Sequence, residues 1–262
     1  MKLNKEPRVT VVTGGARGIG YAAARLLAEE GAKIALVDLD EARVQQSAKT
    51  LAAETGAEAI GLRADITSME DVQTMAAMVS AKFGSIHALI NSAAVLDDKL
   101  FLDSKPADWQ RIINVCLYGP MNCLHVILPG MTKQGYGRVV CMASDSARLG
   151  QARLSYYAAA KAAVVALVKS VAQEVGANGV TLNIVSPGAT NTELRQEREE
   201  SMRKQMGEER YARRVQTVLK MYPTRRIGEP DDVGAMVAFL ASDRAGWITG
   251  QIVSVNGGFA MP

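Results

Sequence analysis

Near its start the chain reads Arg8-Val9-Thr10-Val11-Val12-Thr13-Gly14-Gly15-Ala16-Arg17-Gly18-Ile19-Gly20. The first six residues form a β-branched run suited to a strand. A glycine-rich turn follows, and an amphipathic helix continues to Glu30, where Gly31 stops it. Lys33–Asp38 (KIALVD) then reads as a second strand that ends on an acid. Together these make a βαβ unit. Glycines at such a turn permit positive φ and close backbone approach, and the helix N-terminus faces a pyrophosphate with its free N–H groups. Gly14, Arg17, Gly18, Ile19 and Gly20 are therefore the candidate phosphate contacts. The spacing is TGxxxGxG, so the generic GxGxxG fingerprint is not met as written. Asp38 follows Gly20 at the distance where a dinucleotide site places the acid that accepts from the ribose hydroxyls.

Strand and helix signals alternate from there to the end. Helices are expected over 41–55, 68–83, 106–134, the Tyr157 region and 230–241, and strands at 58–62, 86–91, 138–143, 180–185 and 251–255. This alternation predicts a single α/β domain over 1–262: a Rossmann-type, doubly wound parallel sheet of about seven strands with helices on both faces. With 262 residues and 48% hydrophobic content, the chain can bury a core of that size.

Ser155-Tyr156-Tyr157-Ala158-Ala159-Ala160-Lys161 carries the chemistry. On a helix, residues four apart lie about 40° round from each other, so Tyr157 and Lys161 share a face. Tyr156, five residues from Lys161, lies about 140° away by the same geometry. A neighbouring ammonium stabilises a phenolate and is expected to bring the Tyr157 pKa down toward the working range. Ser144 ends a strand thirteen residues upstream, where its hydroxyl can bond a substrate oxygen.

Other classes find little support. No run of eighteen uninterrupted apolar residues is present, so no membrane span is expected. Cys116, Cys123 and Cys141 show neither CxxC nor metal-ligand spacing, and no metal site is expected. Free thiols and a polar start fit a reducing cytoplasm. The net charge of +3 is too small to argue for nucleic acid. It is unevenly placed, however: residues 193–226 hold ten Lys/Arg against six acids. That segment reads as a solvated helical pair laced with salt bridges.

These residues, taken in order, resemble the short-chain dehydrogenase/reductase family across essentially the whole chain. The signs are TGGARGIG at 13–20, Asp65, NSAA at 91–94, Ser144, Tyr157 with Lys161, Pro187-Gly188 with Thr192, and TGQIVSVNGG at 249–258. Within the family, CMASDSARLG and TGQIVSVNGG look most like hydroxyacyl-CoA dehydrogenases, with 3-oxoacyl carrier-protein reductases close to them. The resemblance implies an alcohol/ketone oxidoreductase with Ser144, Tyr157 and Lys161 as catalytic residues, usually assembled as a tetramer or dimer; a homotetramer is expected. It implies that Lys161 and Tyr157 also touch the nicotinamide ribose, and that Asn91 and Ala93 line the cofactor. Asp65 and Ile66 flank the adenine by the same resemblance, while Pro187, Gly188, Thr190 and Thr192 hold the carboxamide. The segment at about 190–226 falls where this family carries its substrate lid. Its positive charge suits an anionic or CoA-linked substrate.

Two signals on the cofactor conflict. A carboxylate at Asp38 accepts from a ribose 2′-OH and repels a 2′-phosphate, whereas Arg17 is a residue type that NADP-using relatives carry. NAD is the expectation, because one flexible arginine does not relieve a phosphate–carboxylate contact. Two positions depart from the family. Ala94 replaces the glycine of NNAG, and Cys116 stands where the family has an asparagine, seven residues after Trp109. Pro120 cannot give the Cys116 carbonyl an N–H, so a kinked helix and a freed carbonyl are expected there. The competing class is a non-catalytic dinucleotide-binding sensor or scaffold.

Overall fold

The structure is a computed structural model, and it describes residues 3–261. Seven strands form one parallel sheet: β1 (Val9–Thr13), β2 (Lys33–Asp38), β3 (Ala59–Arg63), β4 (Ala88–Asn91), β5 (Gly137–Met142), β6 (Val180–Pro187) and β7 (Ile252–Val255). Their order across the sheet is β3-β2-β1-β4-β5-β6-β7. β1 pairs with β2 on one side and β4 on the other, so Thr13 stands beside both Val37 and Asn91. The strand order reverses there, and ligands of open α/β sheets bind in the crevice outside such a point.

Ten helices connect the strands: α1 (Gly18–Glu29), α2 (Glu41–Thr55), α3 (Met69–Phe83), α4 (Pro106–Ile113), α5 (Gly119–Gln134), α6 (Ser146–Leu149), α7 (Ser155–Val175), α8 (Glu193–Met206), α9 (Glu208–Met221) and α10 (Pro230–Leu240). The central strands are buried and mostly apolar because both faces are covered. One core holds Val11, Leu89, Val139 and Ile184 with Leu124, Ile127 and Val164 from α5 and α7. The other holds Val12, Ile34, Ile90 and Val140 with Leu27 of α1 and Val237 of α10. α1 and α10 cross closely, since a Cβ on Gly234 would come within 3.0 Å of the Ala23 nitrogen.

The sequence predicts one helix over 106–134, and the structure shows α4 and α5 joined by a π-helical turn, Asn114–Tyr118. The Gly119 N–H reaches back to the Asn114 carbonyl, five residues away. The wider turn accommodates Pro120, which has no N–H for a regular bond. Pro106–Gln134 is long and apolar enough, by length and composition, to cross a membrane. The uninterrupted-run rule misses it because polar residues break the run. Leu124, Ile127 and Met131 on this stretch are buried in the core.

Candidate active site

A cleft of about 750 Å³ opens at the C-terminal ends of the strands, over the point where the order reverses. Its floor at one end is the glycine turn. Gly14 has φ +62°, and a Cβ there would lie 2.7 Å from the backbone of Ala93. Gly18 has φ +58° and faces Thr192. Arg17 is the N-cap of α1 but places no side-chain hydrogen bond on the helix end. The first N–H groups of α1 thus stand beside the cleft without a side-chain acceptor, which fits a phosphate group.

Gly14, Arg17, Gly18 and Ile19 line the cleft, and Gly20 does not. Gly20 is buried, and a Cβ on it would lie 2.4 Å from the Gly14 carbonyl oxygen, so its lack of a side chain lets the turn close on the helix. Asn91 is also absent from the cleft wall. It is buried at the end of β4, its amide points to the Cys141 sulfur at 3.5 Å, and its Oδ1 has no partner. Ala93, two residues beyond the strand, lines the wall instead.

Asp38 is fixed from the backbone. The Ala16 N–H donates to Oδ2 (3.3 Å), and the Leu39 N–H donates to Oδ1 (2.8 Å). The carboxylate is thereby held on the cleft wall with lone pairs to spare. Arg17 meets an acid of α8: its Nη1 bonds Glu197 Oε1 at 2.7 Å. Glu197, Glu193 and Asp38 all act on the guanidinium and raise its pKa above the usual arginine value.

Asp65 and Ile66 line the wall beyond Asp38. Asp65 Oδ1 accepts from the Thr67 N–H (2.9 Å) and hydroxyl (2.8 Å), which shapes the turn after β3. Asn122 of α5 donates to the carbonyls of Ile66 (2.9 Å) and Thr67 (3.2 Å) and pins that turn from below.

At the other end Ser144, Tyr157 and Lys161 converge on the same cleft. Ser144 lies two residues past the end of β5, and its Oγ accepts from the Ser146 hydroxyl (2.9 Å) and N–H (3.2 Å). Ser146 therefore leaves the Ser144 proton available to a neighbour. Lys161 is 2% exposed, and its Nζ donates to the Met142 carbonyl at 2.8 Å. The ammonium lies 5.8 Å from the centre of the Tyr157 ring. Tyr156 points away, to Asp97 at 3.2 Å.

The Tyr157 pKa moves opposite to the sequence expectation. Burial pushes the phenol up, the Cys116 thiol adds to the rise, and a hydrogen bond with Ser144 opposes both. Desolvation of the phenolate dominates, while the ammonium is already engaged by the Met142 carbonyl.

Pro187, Gly188, Thr190 and Thr192 form the lip opposite. Thr190 donates to the Gly188 carbonyl (3.2 Å), and Thr192 caps α8 by accepting from the Arg195 N–H (3.3 Å). Cys116, in the π-helical turn, is buried and points its sulfur to the Val95 carbonyl at 3.6 Å. Asn114 takes no place in the site: its Oδ1 accepts from the exposed Gln110 at 2.8 Å.

Two supports were not legible in the sequence. Asp145 is buried beside Ser144, accepting from Ser186 (3.0 Å) and Asn256 (2.8 Å), and burial raises its pKa. The Tyr222 hydroxyl accepts from the Ala189 N–H (3.1 Å), and its ring stacks on Phe259 at 5.1 Å between centroids. Only the SDS spelling at 144–146 hinted at the first, and nothing local pairs 145 with 256.

Sheet order, glycine turn and cleft together define a Rossmann-type nucleotide-binding fold. The family model described as enoyl-(acyl carrier protein) reductase matches residues 14–260. The 3-oxoacyl-(acyl-carrier-protein) reductase of Vibrio cholerae is 34% identical over 259 residues, covering 99% of this chain and all of that protein. The acetoacetyl-CoA reductase of Shinella zoogloeoides is 36% identical over 251 residues, covering 96% of this chain and 98% of its own length. The crystal structure of levodione reductase superposes with a TM-score of 0.89 at 33% identity, covering 96% of each chain. The chain belongs to the short-chain dehydrogenase/reductase family of oxidoreductases.

Proposed function

We propose that this protein interconverts a secondary alcohol and a ketone with NAD(H), using Tyr157, Lys161 and Ser144. The observation that carries the reading is the presence of all three on one cleft whose far end is the glycine turn. A bound nicotinamide supplies the hydride acceptor or donor. The Tyr157 phenol gives a proton to the carbonyl oxygen in reduction, and its phenolate takes the proton from the alcohol in oxidation. Ser144 bonds the same oxygen as charge builds on it. Lys161, held on the Met142 carbonyl, stabilises the phenolate that remains and reaches the ribose.

NAD over NADP is supported by the carboxylate at Asp38, fixed by backbone donors, and by the engagement of Arg17 with Glu197. A 2′-phosphate would meet Asp38 with no released arginine beside it. The helical pair α8–α9 serves as the substrate lid, and its basic wall supports an anionic substrate. An acyl thioester is one such class, and two relatives carry acyl-carrier names. A homotetramer is the assembly that the family resemblance implies. Three unpaired thiols support a cytoplasmic setting.

Following NADH absorbance with a panel of ketones and secondary alcohols tests the reading. Turnover of any member supports the enzyme, and NADH binding with no turnover of any supports the sensor or scaffold class.

A further inference from the structure

α8 and α9 bring three arginines to the cleft wall, Arg195, Arg198 and Arg214, each about one-fifth exposed. Most of the other charges of this basic segment lie outside, in exposed pairs such as Arg213 with Glu209 and Lys204 with Glu200. The inner set is built differently. Glu199, 7% exposed, accepts from Arg214 Nη1 (2.8 Å) and from the Tyr211 hydroxyl (3.0 Å), and its other oxygen lies 3.3 Å from Arg195 Nη2. One buried carboxylate therefore holds two guanidinium groups, and the cluster carries a net positive charge. Arg198 is taken up separately by Asp98, which it shares with Arg153.

Arg195 acts electrostatically on the Tyr222 phenol, and that phenol bonds the Ala189 N–H next to the Gly188 lip. Val218, Met221 and the stacked Phe259 supply apolar wall beside the arginines. A ligand there meets a short apolar surface with a cationic fork at its far edge. Guanidinium groups bind planar carboxylates bidentately, and the remaining donors of Arg195 and Arg214 suit that geometry. The same cleft has to hold a dinucleotide, so the space by the lid suits a compact acid.

We infer that Arg195 and Arg214, held in place by Glu199, form a carboxylate subsite, and that the substrate is an oxo or hydroxy acid bearing its own free carboxylate. This rests on the redox reading above and narrows its anionic substrate to a small acid instead of a CoA thioester.

The test measures kcat/KM with NADH for short oxo acids, acetoacetate and 4-oxocyclohexanecarboxylate, each beside its methyl ester and its CoA thioester. The free acid should exceed its ester by about tenfold or more for at least one pair, the scale of one charge-assisted contact. Arg214→Gln and Arg195→Gln should each bring that acid-to-ester ratio toward one, and Arg214→Lys should recover part of it. Circular dichroism and thermal melting establish that the variants are folded, and a misfolded one is replaced by its lysine counterpart. Esters reduced as well as acids, or a ratio unmoved in the variants, overturn the subsite and leave the redox reading standing. Thioesters preferred over acids by about tenfold also overturn it, in favour of a CoA substrate. No NADH oxidation with any form overturns both.

Discussion

Arg17 Nη1 lies 2.7 Å from Glu197 Oε1, so the glycine turn and α8 are tied across the cleft. The tie engages the one cation in the turn that could serve a 2′-phosphate, and Asp38 stands close by as a second acid. Wild-type protein should prefer NAD by kcat/KM. Asp38→Ala should narrow the gap mainly through the KM for NADP, and Glu197→Gln should add to it by releasing Arg17. A change of about tenfold is expected for Asp38→Ala. Wild-type preference for NADP would remove the ribose assignment.

The raised pKa of Tyr157 fixes the sign of the pH dependence. A phenol whose pKa is pushed up stays protonated at neutral pH, ready as an acid for reduction and poor as a base for oxidation. Ketone reduction should hold steady through neutral pH, while alcohol oxidation should climb as pH rises. Initial rates in both directions from pH 6 to 10 measure this. Oxidation that is already maximal at pH 6 would contradict it.

His87 should make the fold sensitive to mild acid. Its Nδ1 accepts from the Val9 N–H at 3.1 Å, and burial with nearby Arg8 holds its pKa below the ordinary histidine value. A depressed pKa contributes stability above the unfolded value, and that contribution is lost as pH falls through the folded value. Thermal midpoints should therefore drop between pH 7 and pH 5, below the ordinary histidine pKa of about 6.5. His87→Gln, which keeps an acceptor for Val9, should flatten part of that drop.

Gly14→Ala should damage the dinucleotide end directly. The position combines φ +62° with backbone 2.7 Å from the added Cβ, and neither Ser92 nor Ala93 is a flexible side-chain tip that could give way. A cost of about 1–3 kcal/mol in stability is expected, together with loss of NADH binding. Calorimetry and fluorescence titration check the two effects separately.

Much of this was legible in the sequence because it depends on local rules. The βαβ start, the strand alternation and the shared face of Tyr157 and Lys161 all follow from residue period and turn chemistry. What could not be read is tertiary. The close packing of Gly20 on the Gly14 carbonyl exists only once the turn closes, so a local reading of the turn does not show it. The family resemblance implies that Asn91 lines the cofactor, whereas its amide turns to Cys141 on the neighbouring strand. The direction of the Tyr157 shift depends on burial and on the Met142 carbonyl that engages Lys161. The charge count over 193–226 did not separate the arginines on the cleft from those paired in solvent.

The helix around Cys116 offers a more particular test. The π-helical turn adapts the chain to Pro120, and the Cys116 side chain makes only a weak sulfur contact. If the backbone geometry supports catalysis, Cys116→Ala should cost little activity, whereas Pro120→Ala should slow turnover by allowing a regular helix. Loss of activity in Cys116→Ala alone would show that the thiol itself matters.

The central claim, that Tyr157 is the proton-transferring residue of a working oxidoreductase, is tested most directly by Tyr157→Phe. The variant removes one oxygen and keeps the ring in place. Turnover of a ketone that the wild type reduces, followed by NADH absorbance, should fall at least a hundredfold, the scale of general acid catalysis. The NADH dissociation constant, measured by fluorescence on the same preparation, should change little. Wild-type turnover in the variant would contradict the account.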